Sequence, residues 1–221
     1  MSSVRCAGLA ALVGGILCLV LTPIQAYIWS GADAPPLVLA SRPLLDQSRR
    51  LHEAVGPRLG LSDYYFYGRM FCLVYLLAMP GLIGLHARQA RGGGRGEKAW
   101  FRALLAALVA ALIGDVVAYW GGTDLGNLQG LGFTLEVLAL LAVLVSSGFY
   151  GRATLRSHVV PRWSTWLLIL AGPAAVLGVF VTGYVPHGAV LPFSLAVAVV
   201  GFFLLAREPD RAAPNSLLAD A

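Results

Sequence analysis

Three ionisable side chains, Arg69, Asp115 and Glu136, fall inside long apolar stretches of this 221-residue chain. If those stretches cross a bilayer, each charge costs roughly 2.5–3.5 kcal/mol at mid-membrane on insertion scales, so each needs a partner or a purpose. Their spacing is informative. Arg69 lies five residues from Tyr64, Asp115 five from Trp120 and Glu136 six from Gly130, the residues that end their stretches on one side. At about 1.5 Å per residue all three lie about 7–9 Å deep, at one level. Gln25, four residues from Trp29, joins that level, and Thr22 follows one turn deeper.

The stretches holding Asp115 and Glu136 are joined by the short segment 121–129, so the two acids can face each other across a hairpin. Asp115 also continues a row of mostly small residues, Ala103, Ala107, Ala111 and Tyr119, which lets a neighbouring helix approach closely. Arg69 is the expected counter-ion. One arginine against two carboxylates leaves one negative charge, to be neutralised by a proton, a cation, a cationic substrate or His187 at the start of the last stretch. Tyr119, Tyr184 and Thr134 are further lining candidates. The expected ligand or proton site is therefore Gln25, Arg69, Asp115, Glu136, Tyr119 and His187. Two simpler readings compete: a structural salt bridge that fixes helix register, and an Arg69 that snorkels to the interface.

The elements that must position these residues follow from composition. The chain is 58% hydrophobic and 12% charged, against about 25% charged in an ordinary soluble domain. The run 163–206 holds no Asp, Glu, Lys or Arg, which two membrane spans explain and a water-exposed fold does not. Windows of about 20 residues place spans at 7–29, 64–86, 101–120, 130–150, 163–184 and 187–206. The predicted fold is thus all-α, a polytopic bundle of about six transmembrane helices. Val185 and Pro186 make a tight turn between the last two spans, and Gly172-Pro173 is expected to kink the fifth.

Eleven Lys and Arg fall on one side, four lie in the loop 30–63 on the other, and the remaining one is Arg69. The positive-inside rule then puts both termini in the cytoplasm. The first apolar run exceeds a secretory signal core and is read as a retained helix. In the outer loop, Leu44, Leu45, Leu51 and Val55 alternate with Asp46, Arg49, Arg50 and Glu53 as a short amphipathic helix would. Gly92-Gly93-Gly94 reads as a linker, and 207–221 as a disordered cytoplasmic tail.

Several functions are disfavoured. The excess of basic charge tracks topology, so no nucleic-acid partner is expected. Cys6, Cys18 and Cys72 form no CxxC pair. No HExxH or GxSxG motif is present, His86 and His158 make no haem pair at membrane depth, and no metal, cofactor or catalytic set is predicted. The expectation is a small multi-pass protein of a plasma membrane, bacterial from its Arg-, Ala- and Gly-rich composition, with the lipid bilayer as its solvent. It binds, senses or transports a small solute or proton through an outward-facing pocket. The alternative is an interaction or scaffold subunit, a homodimer or a partner of another membrane protein, whose intramembrane charges are purely structural. A lipid-acting enzyme ranks third.

Overall fold

The computed structural model describes residues 3–89, 94–121 and 126–206. Among these residues the chain forms eight α-helices, two 3₁₀ turns and no strand. The helices are α1 (Ser3–Ser30), α2 (Pro36–Ala40), α3 (Arg42–Val55), α4 (Asp63–Gln89), α5 (Arg95–Trp120), α6 (Gly126–Thr154), α7 (Arg162–Thr182) and α8 (His187–Ala206). Six of them, α1 and α4–α8, are long and apolar enough to cross a membrane. This makes the chain a multi-pass membrane protein. Its outward faces carry large apolar side chains such as Leu138, Val176, Leu177 and Phe180, a surface that requires lipid rather than water as solvent.

Lipid also explains helix length. With no water to satisfy open backbone groups, each span stays helical throughout, and α1, α4, α7 and α8 continue through Pro23, Pro80, Pro173 and Pro192. Helix α4 extends three residues past the expected span at the arginine-rich end, and α5 begins six residues before its own. Polar residues at a helix end lie above the hydrocarbon and add no apolar signal, although the helix continues there. Helix α7 stops at Thr182 because Gly183 takes the left-handed conformation (φ 65°) and caps it through its N–H to the Val179 carbonyl at 2.7 Å. Tyr184, expected inside the fifth span, therefore stands in the turn before α8. The expected tail 207–221 and residues Gly92 and Gly93 lie outside the described residues.

The spans close into a ring. Helix α1 packs on α4, α4 on α5, α5 on α6, α6 on α7, α7 on α8, and α8 returns to α1; α4 and α8 also touch across the middle. The four spans α4, α5, α6 and α8 thus surround one central region. At the end of the bundle that carries α2 and α3, α3 is tied to α4: the Tyr67 hydroxyl donates to the Ser48 carbonyl and His52 pairs with Asp63 at 2.7 Å. Helix α2 packs against α1 and α7, with Val38 buried beside Ala26 and Tyr184.

The α5–α6 contact is the most extensive of these and depends on two glycines. A Cβ on Gly114 would come within 2.5 Å of the Glu136 backbone nitrogen, and one on Gly132 within 2.6 Å of the Ala118 nitrogen. The obstructing atoms are backbone, which cannot turn aside. Gly114→Ala is therefore expected to destabilise the purified protein by about 1–3 kcal/mol, measured by unfolding in mixed micelles. Gly130→Ala, where a Cβ meets open space, is expected to leave the unfolding midpoint unchanged or raised.

Candidate functional site

The close α5–α6 approach fixes the first two members of the site. Asp115 follows Gly114 on α5, Glu136 lies on α6 at that contact, and both are wholly buried. The third member arrives from the far end of the chain. His187 is the first residue of α8, also wholly buried, with its Nε2 3.7 Å from Asp115 Oδ1 and 3.7 Å from Glu136 Oε1. Phe71 of α4 stacks on the imidazole at 3.6 Å between ring centres and 10° between planes, which sets the orientation of the ring. Tyr119 and Tyr184 pack against its other sides at 5.8 and 5.3 Å, and their hydroxyls meet at 3.0 Å.

One hydrogen bond reaches the acids from α4: the Tyr75 hydroxyl donates to Glu136 Oε1 at 2.8 Å. Asp115 Oδ1 and Oδ2, Glu136 Oε2, and both His187 nitrogens are buried without a hydrogen-bond partner. Buried polar atoms are ordinarily satisfied, so five open ones in one cluster are a chemical feature. A metal ion is one group that this donor set could hold, since one ligand atom from each residue lies within 4.8 Å of the others.

Arg69 does not join the cluster, which corrects the expected counter-ion. Its Nε donates to the Tyr119 carbonyl at 2.9 Å, its guanidinium lies 5.2 Å from the centre of the Trp120 ring, and it forms no ion pair with Asp115 or Glu136. The last carbonyls of α5 have no partner within the helix and attract a cation; the long side chain reaches that end instead of the buried acids. Gln25 is buried and donates to the Tyr64 carbonyl at 3.3 Å, joining α1 to α4 rather than meeting the carboxylates. Thr22 donates to the Cys18 carbonyl within α1. Thr134 is exposed and donates to the Gly130 carbonyl, so it does not line the centre.

Of the six expected site residues, the structure brings together Asp115, Glu136 and His187, with Tyr119 packed against the imidazole. Tyr75 and Phe71 were missed. A tyrosine in the middle of a span is a usable signal, because its buried hydroxyl needs a partner; Phe71 carries none. Two other histidine–acid pairs among the described residues lie at the bundle ends, His52–Asp63 beside α3 and His86–Glu97 at the arginine-rich end, where His86 also stacks on Phe101.

No family model, curated protein or solved structure matches the chain.

The separation of Arg69 from the acids has a thermodynamic consequence. Arg69→Gln combined with Asp115→Asn is expected to be additive within about 0.5 kcal/mol, whereas His187→Gln combined with Asp115→Asn is expected to deviate by about 0.5–3 kcal/mol. Double-mutant cycles in mixed-micelle unfolding measure both couplings.

Proposed function

We propose that the chain is a plasma-membrane protein that binds a small cation, the proton being the smallest, in a polar centre in the outward-facing half of its bundle. The observation that carries this reading is the convergence of two carboxylates and an imidazole, all wholly buried, with five atoms left unpartnered. Two carboxylates in a low-dielectric interior require neutralisation. Among the described residues no arginine or lysine is paired with them, and Arg69 is engaged elsewhere. A positive imidazole would balance only one of the two. Complete burial favours a small cation over a larger solute. The outward direction rests on the excess of Lys and Arg at the opposite end.

Residue roles follow from position. Asp115 and Glu136 take the cation, His187 shares it, and Tyr75 holds Glu136 in place. Tyr119, near the end of α5, and Tyr184, in the turn between α7 and α8, close around the imidazole.

The test is infrared difference spectroscopy on the full chain in membranes, with the bathing solution switched between neutral and acid, and then between cation-free and Mg²⁺-, Mn²⁺- or Zn²⁺-containing buffer. Carboxyl bands are expected to change with at least one of these cations. Asp115→Asn and Glu136→Gln should each remove part of the change while accumulating in the membrane at wild-type level. Silent carboxyl bands together with collapsed abundance of both variants would assign the cluster to folding alone, as in a scaffold subunit. Orientation has its own measurement: a reporter fused at the C-terminus is expected to be active only in the cytoplasmic configuration.

A further inference from the structure

We infer that Asp115, Glu136 and His187 form a three-ligand site for a divalent transition-metal ion of the zinc or manganese kind; the inference rests on reading this centre as a cation site. The sequence alone predicted no metal set, because the three ligands come from three different helices with no characteristic spacing.

The argument begins with a comparison inside the molecule. Among the described residues, histidine is seen to meet acid at His52, His86 and His187. At His52–Asp63 and His86–Glu97 the imidazole closes on one carboxylate, at 2.7 and 2.6 Å. At the centre it does not. His187 Nε2 stands 3.7 Å from an oxygen of each acid and bonds neither. That separation is too long for a hydrogen bond. It is close to the spacing of ligands around a shared ion, since donors held 2.0–2.2 Å from a tetrahedral centre stand about 3.4 Å apart. One donor atom from each residue already lies within 4.8 Å of the others.

Charge and ligand chemistry point the same way. Two carboxylates balance a divalent ion, and the centre then carries no net charge into the low-dielectric interior. An imidazole donor favours zinc, iron or nickel over calcium and magnesium, while the two carboxylates also suit manganese. Calcium collects six to eight oxygens and magnesium retains several waters, and the wholly buried trio offers neither arrangement. Three protein ligands leave one position open, the arrangement of sites that exchange or activate what they bind. The Tyr75 hydroxyl on Glu136 acts as an outer-shell partner that orients a ligating carboxylate. His187 Nδ1 has no protein partner, so Phe71 stacking, rather than a hydrogen bond, holds the ring.

Cobalt is the probe. The full chain, purified in detergent and stripped with chelator, is titrated with Co²⁺ and followed by its visible ligand-field bands, then by displacement with Zn²⁺. One ion per chain with four-coordinate bands is expected. Tyr75→Phe should weaken binding by about 10–100-fold. Asp115→Asn, Glu136→Gln and His187→Gln should each weaken it further, while His86→Gln leaves it unchanged. Three variants at separate ligands guard against one failing to fold, and each is compared only if it elutes as a single species with wild-type helix content. Absence of one-to-one binding in the wild type, or binding indifferent to all three ligand variants, overturns the inference. If the carboxyl bands still respond to protons while Co²⁺ does not bind, the metal assignment falls and the cation reading stands. Silence in both experiments removes both.

Discussion

The two backbones of α5 and α6 approach so closely at Gly114 and Gly132 that neither position has room for a methyl group, and the centre of the molecule is built on that contact. Between helices in lipid there is little hydrophobic drive to associate, so close packing of small residues and polar contacts must hold them. Here one contact supplies both, because the residue after Gly114 is Asp115 and the backbone that Gly114 meets is that of Glu136. A packing device thereby places two carboxylates side by side in the interior. The cost of burying those acids then constrains what the surrounding helices can present to them.

The surroundings meet that constraint only in part. Helix α4 offers Tyr75 as a donor and Phe71 as a flat wall, and α8 offers His187. The available cation, Arg69, instead donates to the Tyr119 carbonyl at the end of α5, where it lies over Trp120. From an electrostatic standpoint the arrangement is incomplete. A molecule selected for stability alone gains by pairing buried charges tightly or replacing them with apolar groups. The end pairs His52–Asp63 and His86–Glu97 show that this chain forms tight histidine–acid contacts at partly exposed positions.

How much of this was legible in the sequence varies residue by residue. The six long helices were legible because a span has to be a continuous apolar run, and such runs survive any reading window. That Asp115 and Glu136 lie at matching levels of α5 and α6 was legible too, since rise per residue is fixed. Azimuth and side-chain direction were not. Arg69 shares their depth, yet a long flexible side chain can turn up or down its helix, and spacing alone does not say which. Gln25 was expected beside the acids, but its partner proved to be a backbone carbonyl. His187 was expected in the site as one of several neutralising groups; the ring order of the helices decides that α8 faces α5 and α6. The sequence contains that order only implicitly. Tyr75 and Phe71 resemble ordinary packing residues until a neighbour gives them a role.

A structural clasp and an ion site make opposite demands on geometry. A clasp lowers free energy by short, saturated contacts, since an unmet buried donor or acceptor costs about 1–3 kcal/mol and charged groups cost more. An ion site keeps its ligands apart until the ion arrives, because mutual hydrogen bonds would have to be broken for the ion to bind. The centre has the second form: Nε2 of His187 is equidistant from two carboxylate oxygens at 3.7 Å, held by ring stacking rather than by a bond to either. Tyr75 completes the contrast, satisfying one oxygen of Glu136 and leaving its other oxygen and both of Asp115 open. The same burial that makes these open atoms expensive would strengthen their attraction for a cation.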